Sequence, residues 1–300
     1  MFLLIDETIS IVYGTHSTII GMVRYSNRMA RMTDRETEQR MLSAALSLVH
    51  DRGISTGLES LPFDEVIRAA EVSRTSAYRR WPQRERFYGE VLTELARGAT
   101  LPAPGEDLMI SVANILAERA EHLDSPQDHR DLVVELLRVS IGADFDIVST
   151  SPQWRTYRLL LASYQGISDP AVREAVTEAL VESDQRAVAV RSRVYAQFAA
   201  LLGYRLVAPL NGPDGFELMS RAAGASMMGV LARISLGDSS MQVPRPMRAF
   251  GSSTTTPWTP GVYMVTSTVL SYIEVDPGVV WDRSRIADIL AAVATFTSER

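Results

Sequence analysis

Residues 61–95 read LPFDEVIRAAEVSRTSAYRRWPQRERFYGEVLTEL, and the fold class follows from where this stretch breaks. Pro62 suits a first helical turn, and Asp64 and Glu65 suit the positive end of a helix dipole. Val66, Ala69 and Ala70 fall on one face of that helix. Glu71-Val72-Ser73 then makes a short break, with Val72 as the buried turn residue and Ser73 placed to cap a second helix. That second helix is short and polar, and Pro82 stops it. A further amphipathic helix starts near Gln83, with Phe87, Val91 and Leu95 on one face. Helix, tight turn and short polar helix is the arrangement that lets the second helix enter a DNA major groove about 12 Å wide.

Working outward, helical spacing of Met41, Ala44, Ala45, Leu48 and Val49 predicts a preceding helix. It is capped by Thr33 or Asp34 and stopped at Gly53. Towards the C-terminus, breaks at 101–105, Ser125-Pro126, 149–152, 168–170 and 209–215 separate periodic segments rich in Ala, Leu, Arg and Glu. The predicted helices there are Leu108–Leu123, Asp131–Ile147, Gln153–Gln165 and Asp169–Leu202. Alternation of the kind strands show is nearly absent, so the chain reads as all-α. Residues 237–261 hold four prolines and little periodicity, and are expected to form a long loop.

Composition narrows the function classes. The chain has 300 residues, of which 46% are hydrophobic and 22% charged, which excludes wholesale disorder. Its net charge of −6 excludes a polycationic coat for nucleic acid. All 30 basic residues are arginine, a pattern read as a G+C-rich coding sequence rather than as chemistry. The absence of cysteine excludes disulfides, thiolate metal sites and a cysteine nucleophile, and is compatible with the expected cytoplasmic location. Charge is concentrated locally, since Arg74, Arg79, Arg80, Arg84 and Arg86 stand against Glu85 alone within residues 73–86. Such a patch is the footprint of a polyanion or a solvated face.

The short helix exposes Arg74, Thr75, Ser76 and Arg79, two long bases and two short hydroxyls suited to base edges and phosphates. Tyr78 adds a phenol whose ring can pack while its hydroxyl reaches a phosphate. Arg79 and Arg80 cannot both point into a groove. The run Ala70-Glu-Val-Ser-Arg-Thr-Ser-Ala-Tyr-Arg-Arg-Trp-Pro-Gln-Arg-Glu85 resembles the signature of the TetR family of bacterial transcriptional regulators. Ala70, Val72, Ser73, Tyr78, Trp81 and Glu85 match that pattern, and Arg84 stands where the family has lysine. The resemblance implies that Tyr78 and Arg84 grip phosphates while Arg74, Thr75 and Ser76 face bases. The DNA-binding set is then Ser73, Arg74, Thr75, Ser76, Tyr78, Arg79 and Arg84. It also makes Leu46 and Val49 core residues, and Trp81 is read as core because it packs the short helix on the first. Two positions depart from the pattern: Glu71 replaces the turn glycine, and Pro62 stands where a threonine usually caps the helix.

The implied organisation is an extension at 1–32, a helix-turn-helix DNA-binding domain at 33–97 and a helical ligand-binding and dimerisation domain at 98–300. The extension is expected to be disordered or an over-extended start, with translation beginning at Met29 or Met32. Phe145, Trp154, Tyr157, Tyr164, Tyr195 and Phe198 are the candidate lining of a pocket for an apolar or aromatic small-molecule effector. Small residues at Ala222, Ala225, Ser226, Gly229 and Ala232, together with a stripe of Ile286, Ile289, Leu290, Val293 and Phe296, suggest a homodimer seam.

Catalytic signatures are missing: no glycine-rich phosphate loop and no nucleophile turn is present. Glu118, His122 and His129 come nearest to a metal set, but read as an ordinary surface pair followed by a break. No cofactor, metal, membrane span or catalytic residue is expected. The implied function is a ligand-responsive repressor released from a pseudo-palindromic operator. The alternative is an all-α ligand sensor or enzyme on the same fold that does not bind DNA.

Overall fold

A computed structural model of the chain describes residues 32–52, 61–98, 106–119, 125–212, 214–281, 285, 287–289 and 291. The expected extension at 1–32 lies outside these residues apart from Met32, as does His122. Helix α1 spans Asp34–Arg52, α2 Phe63–Ala69, α3 Arg74–Arg80 and α4 Arg84–Arg97. Then follow α5 (Glu106–Arg119), α6 (Pro126–Thr150), α7 (Pro152–Ser163), α8 (Pro170–Leu201), α9 (Gly215–Ser235) and α10 (Pro260–Leu270). Strand is confined, among the described residues, to four three-residue segments: β1 (Tyr204–Leu206), β2 (Arg245–Met247), β3 (Thr256–Trp258) and β4 (Ile273–Val275). The all-α expectation therefore holds.

Local chemistry sets the helix starts. Ser125 and Asp128 form a reciprocal capping box at α6, with Pro126 in its first turn. Ser151 caps α7, Asp169 caps α8 and Thr259 caps α10, each followed by a proline that cannot miss a hydrogen bond there. The breaks at Ser125-Pro126, 149–152 and 168–170 mark the first three of these starts in the sequence, whereas the Thr259 cap lies inside the stretch expected to be a loop.

Packing then joins the segments. Phe63, Trp81 and Phe87 meet edge to face around Met41, Ala45, Val66 and Ala77, forming the core of α1–α4. Leu46 is only half-buried and Ala69 is exposed, so these two lie at the rim of the faces assigned to them, whereas Val49 is buried. Gly89 lets α4 approach α8 closely, because a Cβ there would stand 2.8 Å from Val172. A second core gathers Val112 and Leu116 of α5, Leu132, Val133 and Leu136 of α6, and Ala199 and Leu202 at the end of α8. Ile289 joins that core at 3% exposure. One residue of the expected subunit stripe is thus spent inside the chain; Ile286, Leu290, Val293 and Phe296 lie outside the described side chains.

Residues 237–261 differ from the expected long loop. They contain a 3-10 turn at Ser239–Gln242 and an antiparallel hairpin with Arg245 opposite Trp258. Three-residue strands with two prolines carry no alternation to read, so the cause is long-range. Phe250 stacks on Tyr263 and meets Trp258 edge to face. The buried Asp131 carboxylate accepts from the Ser253 backbone N–H at 2.7 Å, from the Ser253 hydroxyl and from Gln127 at 2.9 Å. Burial works against that carboxylate's charge, but the hydrogen bonds from Ser253 and Gln127 prevail and hold its pKa below the usual aspartate value.

Candidate nucleic-acid interface

The turn between α2 and α3 is tight because of Glu71, whose φ of +55° puts it in the left-handed region that glycine usually occupies. Val72 is buried beneath the turn, as its spacing predicts. Ser73 has extended backbone and accepts the Ser76 N–H at 3.1 Å, so α3 begins with a satisfied cap. The Ser73 hydroxyl in turn donates to Ser76 Oγ at 2.9 Å, so Ser76 is half-buried and occupied within the cap. Pro62 sits at the N-cap of α2 and offers no side-chain cap there.

Helix α3 buries Ala77 and leaves Arg74, Thr75, Tyr78 and Arg79 on the surface. Tyr78 rests its ring edge-on to Phe63 at 5.3 Å, and its hydroxyl accepts from Arg84 at 2.9 Å. The Arg84 guanidinium also lies 5.9 Å from the Tyr78 ring centre. The first turn of α4 therefore brings its arginine beside the phenol of α3, and both groups keep exposed surface. The Tyr88 hydroxyl donates to the Leu61 carbonyl at 2.7 Å, tying α4 to the entry of α2.

The remaining bases of the patch have internal partners. Arg79 is ion-paired with Asp34 at the start of α1. Arg80 reaches Glu38 at 3.1 Å and Glu90 at 3.3 Å, and lies 4.9 Å over the Trp81 ring. Burial opposes its charge, but the two carboxylates outweigh that cost and raise its pKa. Arg86 pairs with Glu90 at 3.5 Å, while Arg74 is only loosely matched by Asp64 at 3.6 Å, with its own side chain 73% exposed. Trp81 is fully buried and donates its indole N–H to Glu90 at 2.9 Å. Sequence spacing reveals the patch but not the four carboxylates that answer it from α1, α2 and α4.

The expected pocket residues lie on α6, α7, α8 and the turn that follows α7. Trp154 and Tyr157 meet each other edge to face at 5.3 Å on α7. Phe145 is buried against α10, where a Cβ on Gly261 would come within 3.2 Å of its ring. Tyr164 follows α7 and accepts from its neighbour Gln165. Tyr195 and Phe198 share one face of α8, Phe198 with 40% of its surface exposed. Two open depressions lie elsewhere, one walled by Pro209, Leu210, Asp214 and Arg221, the other by Arg40, Ser43 and Glu71. His129 is buried and bonded to the Leu202 carbonyl at 2.8 Å.

No protein-family model matches the sequence, and no curated protein is significantly similar to it. Among solved structures, the chain is similar to the SmeT–triclosan complex, with 16% identity and a TM-score of 0.40 over 82% of this chain and 99% of that one. It is also similar to a TetR-family transcriptional regulator from Marinobacter aquaeolei VT8, with 17% identity and a TM-score of 0.38 over 86% and 98%. These likenesses are loose over the whole chain, and the functional reading rests on the residues of α2–α4. No described helix is long and apolar enough to cross a membrane.

Proposed function

We propose that the chain is a TetR-like, ligand-responsive transcriptional regulator that binds operator DNA as a homodimer. The observation that carries this reading is the geometry of α3. A capped short helix follows a left-handed turn, presents Arg74 and Thr75 from its first turn, and stands beside the paired Tyr78 and Arg84. Base edges are met by the first turn of such a helix, and phosphates by the flanking phenol and guanidinium. Exposed small residues on α9, among them Ala225, Gly229 and Ala232, support a subunit seam on that helix. Two heads about 34–36 Å apart would read a pseudo-palindrome. An effector that favours a different head spacing would lower operator affinity; coupling of roughly 1–3 kcal/mol gives about 5- to 150-fold release. Repression, rather than activation, is the expected sense.

One observation favours the alternative, an all-α sensor or enzyme that does not bind DNA: Arg79, Arg80 and Arg86 are matched by acids of the same fold. Fluorescence anisotropy on a labelled fragment of the gene's own upstream DNA, at two salt concentrations, separates the two. The regulator reading requires binding that survives excess random DNA and strengthens at low salt. A folded dimer that fails to bind at low salt would move the assignment to the alternative.

A further inference from the structure

Two neighbouring carboxylates open α2, and the fold uses them differently. Glu65 accepts from both Nη groups of Arg52, at 2.9 and 2.6 Å, and so ties α2 to the end of α1. Asp64 makes no side-chain bond of that kind. Its Oδ1 is buried without a hydrogen-bond partner among the described residues, and Arg74 Nη2 stands 3.6 Å from it. That separation is too long for a hydrogen bond but close enough for an ion pair. The pair is also open to an outside group, since the Arg74 and Asp64 side chains are 73% and 44% exposed. The charge of Asp64 is felt by Arg84 as well, so one acid acts on both arginines that the DNA-binding reading uses.

An acid inside a basic patch repels phosphate. Base contacts escape that penalty. A guanine edge presents the neutral acceptors O6 and N7, which a guanidinium meets with two parallel N–H groups. Arginine carries enough N–H donors to turn one towards a carboxylate and still offer such a pair. A side chain as exposed as Arg74 otherwise loses rotamer freedom when it is fixed for that contact. A carboxylate beside it fixes it beforehand.

We infer that Asp64 is a positioning residue for Arg74, holding its guanidinium ready for a guanine in the DNA half-site and leaving phosphate to Arg84 and Tyr78. The inference rests on the DNA-binding reading and adds to it the base that α3 selects and the residue that prepares the selection.

The test uses the full chain and a pool of random-sequence duplexes, from which bound DNA is recovered and sequenced. The wild type should enrich a guanine that Arg74→Ala loses, its discrimination there falling about 5- to 150-fold. Asp64→Ala and Asp64→Asn should weaken preference for that same guanine about tenfold and leave the other positions unchanged. Both should bind random duplex more tightly and steepen its salt slope by up to about 0.9, because a phosphate-repelling charge is gone. Adding Asp64→Ala to Arg74→Ala should remove no further base preference. Glu65→Gln removes an equal charge one residue away and should keep the guanine.

Preference for the guanine that survives both Asp64 substitutions, or falls equally at every position, would overturn the inference. So would an equal loss in Glu65→Gln. The unfolding midpoint of Asp64→Asn should stay within about 2 °C of the wild type. A larger fall would assign Asp64 to the fold instead. A wild type that enriches no sequence overturns the DNA-binding reading and the inference together, whereas enrichment untouched by the Asp64 substitutions overturns the inference alone.

Discussion

The scaffold face and the exposed face of α3 and α4 treat charge in opposite ways. Around α3, Arg79, Arg80 and Arg86 are each answered by an acid from α1 or α4. At the first turn of α3, by contrast, Arg74 stands 3.6 Å from Asp64 with its side chain 73% exposed. The contrast separates scaffold from candidate site. Arg80 lies over Trp81 and is held by two carboxylates, whereas Arg84 is matched by no carboxylate among the described residues and meets the Tyr78 hydroxyl and the Tyr78 and Phe63 rings. A charge that the fold has already neutralised serves the fold; one left open is available to something that is not part of the chain.

The contrast can be broken most forcefully at Trp81. It is fully buried at the junction of Phe87, Arg80 and Glu90, so Trp81→Ala should cost about 3–5 kcal/mol in a urea titration. A loss below 1 kcal/mol would mean that the paired arginines around it are not scaffold.

His129 gives the next largest effect, on the scaffold side of the bundle. Burial, helped by Arg130 and Arg285 and opposed by the bond to Leu202, lowers its pKa from 6.5 to about 4. The folded state therefore holds the ring neutral where the unfolded chain takes up a proton. Its contribution is complete above pH 6.5 and is lost as pH falls towards 4, about 3 kcal/mol at full extent. Unfolding titrations from pH 7 to pH 4 should show that slope, and His129→Gln should flatten it.

Glu71 offers a smaller and opposite change. A non-glycine residue at φ +55° carries about 1 kcal/mol of strain, so Glu71→Gly should stabilise the protein by about that much. An unchanged or lower stability would show that Glu71 is held there by interactions that offset the strain.

What the sequence reveals follows the same division by range. Ser73 reaching Ser76, Ser125 reaching Asp128 and Asp169 reaching Ala171 are contacts two or three residues long, and their spacing is visible in the string. The position of the turn at Glu71 is legible for the same reason, whereas its left-handed backbone is implied only by the family resemblance, which has glycine there. The hairpin at 245–258 is not, because it is held by Asp131, 122 residues before Ser253. Neither is the pairing of Arg79 with Asp34, 45 residues apart. Which of the six aromatics on α6–α8 share a surface is likewise not legible, because helical spacing fixes which face a ring occupies, not which helix meets that face.

The central claim is that Arg84, with Tyr78, anchors phosphate while Arg80 serves the fold. Anisotropy on upstream DNA across a salt series tests it with Arg84→Ala and Arg80→Ala side by side. Arg84→Ala should keep the unfolding midpoint, weaken specific and random DNA alike, and reduce the salt slope by about 1. Arg80→Ala should lower stability and keep the salt slope of whatever remains folded. A salt slope unchanged in Arg84→Ala, or reduced only in Arg80→Ala, would contradict the assignment.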